Sequence, residues 1–263
     1  MCRLFGLMAD GDVELAVSMM DAPPKFHAQG HTNPDGWGVG RFQDGQPAVT
    51  KHELPPNGEV TLEQGSFRGS GSLFLAHVRR SSRAPRAQKN CHPFQHDGWL
   101  FAHNGALHPL LEKWVRKSVG AVKYEGQTES EALFRWLLLS IEKAGGVEAG
   151  IRAAIQPLVA DGQFSSLNFM LARAGELYVF RYATRSLDYY SMYCLARPAA
   201  GELDATSEDV HAHLRTAGLA RHRAVLIATE KLTAEPWQLI EPGHLLCVKA
   251  DLTVTSASML PAG

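Results

Sequence analysis

The chain has 263 residues, 45% of them apolar, and 26 basic against 27 acidic side chains give a formal net charge of −1. A chain of this length buries roughly 70–75% of its unfolded surface and needs no disulfide or metal staple, and its balanced charge, with no long basic run, argues against a nucleic-acid or membrane-surface partner. Asp10, Asp12 and Glu14 interrupt any leader-like apolar segment, no apolar stretch approaches the ~20 residues of a membrane span, and four scattered cysteines without a CxxC pair fit a reduced, cytoplasmic protein.

In chain order, residues 2–8 read as a short apolar strand. Residues 12–20 fit a helix capped by Asp12, with Val13, Ala16, Val17 and Met20 on one face and Pro23-Pro24 ending it. Asn33-Pro34-Asp35-Gly36 is a turn, in which Asp35 is expected to hydrogen-bond locally. Residues 37–42 and 48–52 pair as strands about an Asp44-Gly45 hairpin turn. Residues 54–71 are polar and Gly-rich and read as loop. Residues 72–78 form an apolar strand ending at Arg79, residues 80–88 are basic and turn-like, and residues 99–103 form a strand closed by Asn104-Gly105.

A helix is expected over residues 107–115. A stronger one opens at Thr128, where Thr128 and Glu131 spell a capping box; Leu133, Phe134, Leu137, Leu138 and Ile141 give it an apolar face, and Gly145-Gly146 ends it. A third helix fits residues 147–159. Strands then follow over 167–172, 177–182, 189–195, 224–228 and 244–248, with a polar loop at 198–205 and a small surface helix at 207–218. Strands, then helices, then strands predict a single α+β domain of antiparallel sheets packed with helices.

Several residues carry chemistry. Cys2 is small, so Met1 is expected to be removed, leaving a cysteine that holds both a nucleophilic thiol and an α-amine with a reference pKa of about 7.7–8.0. Asn104 and Gly105 read either as a hairpin turn or as paired N–H donors to a developing oxyanion. Arg79 is either a solvated strand-end charge or a forked grip on a carboxylate, to which Ser82 adds a hydroxyl. Glu129 either complements the helix dipole or pairs with an ammonium group. Asp35-Gly36-Trp37-Gly38 is read as architectural. A thiol, an oxyanion site, a carboxylate clamp and an ammonium partner together are what hydrolysis of a γ-glutamyl amide requires. His92, His96, His103 and His108 lie close to Cys91, but their spacing fits no standard zinc pattern, so no metal and no cofactor is expected.

This set resembles the class II glutamine amidotransferases, and in its Asp-Gly-Trp-Gly turn and His92-Pro93-Phe94 segment the stand-alone bacterial branch. The resemblance runs over most of the chain, is strongest from Met1 to about Leu138 and returns at Ala228-Thr229-Glu230-Lys231-Leu232-Thr233 with Pro236-Trp237. The resemblance implies a four-layer αββα N-terminal-nucleophile sandwich of two antiparallel sheets. It implies Cys2 as nucleophile, Asn104 and Gly105 as oxyanion donors, and Arg79 with Ser82 on the substrate carboxylate. Glu129 stands where the family usually has Asp, which makes the ammonium partner one methylene longer; Cys91 stands where the branch often has Thr. The expected partner is a small γ-glutamyl substrate. No synthase domain is expected to follow residue 263. The chain then acts either as a self-contained γ-glutamyl hydrolase or as a glutaminase subunit supplying ammonia to a separate synthase, in either case with a possible homo-oligomer. The rival reading is a non-catalytic binding protein that retains the fold.

Overall fold

The computed structural model describes residues 2–19, 34–55, 60–80 and 83–260. Within them the strands are, in chain order, β1 (Arg3–Met19), β2 (Gly36–Gln43), β3 (Gln46–Glu53), β4 (Ser66–Arg79), β5 (Phe94–His96), β6 (Trp99–Asn104), β7 (Asn168–Arg173) and β8 (Glu176–Arg181). They continue with β9 (Tyr193–Arg197), β10 (Asp204–Ser207), β11 (Ala212–Ala217), β12 (Ala224–Ala228), β13 (Gln238–Leu239), β14 (His244–Lys249) and β15 (Val254–Ser258). The helices are α1 (Leu62–Gly65), α2 (Pro109–Val119), α3 (Glu129–Ala144) and α4 (Val147–Asp161).

Two antiparallel sheets result. A nine-stranded sheet runs β13-β9-β12-β1-β4-β2-β3, with β10 and β11 joined to the far half of β1; a six-stranded sheet runs β15-β14-β8-β7-β6-β5. The two-residue period of a strand sorts their side chains into layers. On β4, Leu73 and Leu75 face the second sheet, with Leu4 and Met8 beside them and Leu100, Ala102 and Met170 opposite. Phe74, Ala76 and Val78 face the other way, with Leu7, Leu15 and Trp37. The second sheet turns Phe101, Phe169 and Phe180 outward against Leu133 and Phe134 of α3 and Ile155 of α4. The α+β sandwich of two antiparallel sheets is thus present, with α2, α3 and α4 covering one outside. On the opposite outside, among the described residues, α1 packs through the bond from Trp37 Nε1 to Gln64 O (2.8 Å), and Leu203, Val210 and Leu219 close the core.

Glycines on the inner side of β2 let the sheets approach. A Cβ at Gly36 would lie 2.4 Å from Cys91 Sγ, one at Gly38 2.3 Å from His92 O, and one at Gly40 2.8 Å from Leu100 Cδ1. The Asp-Gly-Trp-Gly segment is therefore a seat for residues 91–93.

Several local expectations are corrected. Residues 12–19 are the second half of β1, not a helix: Val13, Leu15, Val17 and Met19 are buried in alternation, and the strand restarts after a register shift between Met8 and Val13. Residues 54–71 are not all loop. They hold α1, which has a full capping box of Thr61 and Gln64, and the first residues of β4. Residues 207–218 hold β11 rather than a helix; Ala212, Leu214 and Thr216 alternate inward against β1. The strand expected over 189–195 begins at Tyr193, and the sequence pattern does not give β5, β10, β13 or β15. At Thr128 only half of the capping box forms. Thr128 Oγ1 accepts from Glu131 N (3.2 Å), but the Glu131 carboxylate turns to the N–H groups of Glu125 and Gly126 (2.8 Å each), which need a partner more. Pro23-Pro24 and Asn33 lie outside the described residues.

Candidate active site

The position of Cys2 follows from strand register. On β1 and β4, Arg3 pairs with Val78 and Leu4 with His77. One more step sets Cys2 opposite Arg79, at the joint end of both strands. Counting in twos from Leu4 and Leu75, both residues fall on the side that faces the second sheet. Cys2 is half-buried; its thiol donates to Arg80 O (3.2 Å) and its sulfur accepts from Arg80 N (3.2 Å). Burial raises the thiol pKa, while the Arg80 N–H and the Arg79 cation pull it back. The group therefore carries its proton at neutral pH.

β1 and β4 both contact β6 across the sandwich. On β6, Leu100 and Ala102 face inward and Asn104 shares their parity. Asn104 is buried, and its Nδ2 makes no hydrogen bond. Leaving such a donor unmade costs about 1–3 kcal/mol, so this buried amide is free to donate to a bound group. The hairpin reading of Asn104-Gly105 is overturned. Left-handed turn pairs occur at Asp44-Gly45 (φ 51° and 75°) and Asp97-Gly98 (φ 46° and 78°), whereas neither Asn104 nor Gly105 has positive φ, and the chain goes on to α2. Glycine is required at 105 because a Cβ there would lie 1.9 Å from Ser166 O.

His103 anchors this turn from the other side of β6. Its Nε2 lies 3.1 Å from Ser166 O and its Nδ1 3.0 Å from Ser130 Oγ, tying the end of β6 to the start of α3. Glu129, the neighbour of Ser130, sits in the first turn of α3, half-buried. Burial raises its carboxyl pKa, offset by the charges of Arg83 and Arg79, so both cations share its surroundings.

Arg79 is buried. Its Nη2 donates to Ala84 O (2.8 Å), and its Nη1 stands 3.6 Å from Asp35 Oδ2 without making a hydrogen bond. The Asp35 carboxylate, expected to bond within its own turn, reaches two other segments: its other oxygen lies 3.1 Å from Arg86 Nε, so it balances two guanidinium groups. Ser82 lies outside the described residues.

The histidines do other work. His77 stacks on His92 (ring centroids 4.1 Å), and His92 Nδ1 accepts from His103 N (3.2 Å). Burial lowers the pKa of His77 to about 3 and of His103 to about 4, and that of His92 well below the usual value, so all three are neutral. His96 pairs with Asp97 (3.1 Å) and His108 caps α2. Among the described residues no three His, Cys, Asp or Glu side chains are grouped to hold a metal ion. Cys91 is fully buried, and burial pushes its thiol up to about 11, which leaves it inert.

Sequence reasoning missed Arg80, Arg83 and Asp209. Asp209 pairs with Arg3 (3.0 Å) and with Arg80 (3.4 Å), the residues directly after Cys2 and Arg79, so one carboxylate clamps both strand ends. Nothing in the sequence pointed to it, because residues 207–218 read as a surface helix.

The chain is similar to known proteins over most of its length. The family model of the glutamine amidotransferases class-II matches residues 1–261. The putative glutamine amidotransferase YafJ of Escherichia coli is 26% identical over 262 residues, covering 94% of this chain and 98% of its own. The gamma-glutamyl-hercynylcysteine sulfoxide hydrolase of Mycobacterium tuberculosis is 28% identical over 117 residues, 41% of this chain and half of that protein. The crystal structure of a predicted glutamine amidotransferase from Pseudomonas aeruginosa superposes with a TM-score of 0.72 at 21% identity, over 94% of this chain and 97% of that one, which shows a shared fold. With the family model spanning almost its whole length, the chain belongs to the class II glutamine amidotransferases, enzymes acting on the amide bond of glutamine.

Proposed function

We propose that the protein hydrolyses a γ-glutamyl amide, glutamine or a larger γ-glutamyl compound, through a thioester on Cys2. Removal of Met1 frees the Cys2 α-amine. That amine, neutral above its pKa of about 7.7–8.0, takes the proton from the thiol that burial holds protonated. The sulfur then bonds to the γ-carbonyl carbon, and the carbonyl oxygen becomes an oxyanion facing Asn104 Nδ2 and the Gly105 N–H. Collapse of this intermediate breaks the C–N bond, and the ammonium form of the α-amine returns the proton to the leaving nitrogen. Water attacks the thioester by the same route, giving glutamate and the free thiol. Arg79, with Ser82, grips the substrate α-carboxylate, and Glu129 pairs with the α-ammonium.

The observation that supports this reading is that Cys2, Arg79 and Asn104 share the inward parity of β1, β4 and β6, strands in contact across the sandwich, with Asn104 Nδ2 buried and unpartnered. The name of the mycobacterial relative, a γ-glutamyl hydrolase, supports water as the acceptor. The test compares glutamate release from glutamine and γ-glutamyl peptides by the Met1-processed protein and by Cys2→Ala. Loss of release in the variant is expected; equal release from both rejects the reading.

A further inference from the structure

Beyond the Asn104-Gly105 turn lies an open cleft of about 700 Å³. Its floor continues directly from the turn as Ala106 and Leu107, and Ser165 Oγ accepts from Ala106 N (3.0 Å). One wall is Tyr190, whose carbonyl accepts from Asn168 Nδ2 (3.0 Å); Asn168 is the strand partner of Asn104. The adjoining Tyr189 lies within electrostatic reach of the Cys2 thiol. The cleft thus begins at the residue after the Asn104-Gly105 turn, beside which the Cys2 reading places the scissile bond. Ammonia leaving from glutamine has no use for such a volume.

The lining is selective in charge. It contains Arg83, His108 and Arg185 and no carboxylate. Of the neighbouring acids, Glu112 is engaged with Arg83 (3.6 Å) and Arg116 (2.9 Å) and Asp161 with the Gln163 N–H (3.1 Å), while Glu129 acts on Arg83 and Asp188 lies three residues beyond Arg185. Arg185 is exposed and makes no ion pair among the described residues. Phe164, Leu107 and Tyr190 add apolar surface between the cations.

We propose that this cleft receives the leaving amine, and that Arg185 binds a carboxylate on it, which makes γ-glutamyl peptides with a free C-terminal carboxylate the favoured substrates over glutamine. The inference rests on the Cys2 reading for the placement of the scissile bond. Arg185 does not touch the reacting atoms; it selects what is attached to them.

The test separates binding from turnover. Calorimetry on the Cys2→Ala protein measures affinity for γ-glutamylglycine and for γ-glutamylglycinamide, which differ only in the C-terminal charge. A solvent-exposed guanidinium–carboxylate pair predicts about three- to tenfold tighter binding of the acid. Adding Arg185→Gln brings the ratio to about one. Equal affinities in the Cys2→Ala protein, no binding of either compound, or a ratio that survives Arg185→Gln each overturns the proposal. Glutamate release by the protein with Cys2 intact is assayed separately. Its absence with both compounds and with glutamine rejects the Cys2 chemistry, while the binding ratio still decides the charge preference of the cleft.

Discussion

Gly105→Ala is the substitution whose effect the geometry fixes most tightly. The added methyl would stand 1.9 Å from Ser166 O and 2.7 Å from Ser166 C, where ordinary contact begins at 3.4 Å. The obstacle is backbone, and Ser166 O is itself held 3.1 Å from His103 Nε2, so no flexible side chain can yield. The turn or the 165–168 segment must therefore move by about 1.5 Å. Overpacking of this kind costs about 1–3 kcal/mol of stability. The larger effect is on chemistry, because displacing a catalytic group by ~1 Å costs about 10²-fold, and loss of one oxyanion donor about 10²–10³-fold. Glutaminase assays should show kcat lower by roughly two to three orders of magnitude, with the KM for glutamine little changed since Arg79 and Glu129 lie on other elements. Chemical denaturation would show a folded protein with a lowered midpoint. A folded Gly105→Ala protein that keeps kcat within about threefold would refute the placement of the oxyanion at this turn.

Further outcomes follow from the same site. Arg79→Lys keeps a charge near Asp35 but loses the fork, and should raise KM for glutamine about 10- to 100-fold with a smaller change in kcat, read from steady-state kinetics. Burial raises the Glu129 carboxyl pKa, so its charged, ammonium-binding form is lost on acidification earlier than that of an exposed glutamate. KM should rise as pH falls through that range, whereas Glu129→Gln should begin with a raised KM and lack the rise; parallel pH profiles for both proteins would contradict the assignment. His103 is buried neutral with a pKa near 4, against about 6.5 when unfolded. The unfolded chain binds the extra proton, so this contribution to stability is complete above about pH 6.5. It fades as pH falls toward 4, by about 3 kcal/mol in all. Urea titrations that find no loss of stability between about pH 6.5 and pH 5 would contradict the burial of neutral histidines.

Legibility in the sequence tracked the range of the interaction. The Asp44-Gly45 turn, the strand at 224–228 and the stop at Gly145 depend on neighbours within a few residues, and they stand where the pattern puts them. Residues 12–20 failed because Val13 and Val17 satisfy both periods; Leu15 and Met19 decide for a strand only once β4 and β11 lie alongside. The Asn-Gly pair has the composition of a hairpin turn, yet its backbone departs from that turn because it leads to α2 instead of a returning strand. Cys2, Arg79, Asn104, Gly105 and Glu129 were each ambiguous alone and gained meaning as a set. The cleft could not be read, since Arg83, Leu107, Phe164 and Arg185 come from four separated segments that only the sheet order assembles.

The central claim is that sulfur at position 2 carries the glutamyl group. Intact and peptide mass spectrometry of the Met1-processed protein, acid-quenched during turnover of glutamine, measures it directly. The account predicts one added glutamyl group on the peptide beginning at Cys2, labile to mild base. An unmodified N-terminal peptide under turnover, or the adduct on Cys91 instead, would contradict it.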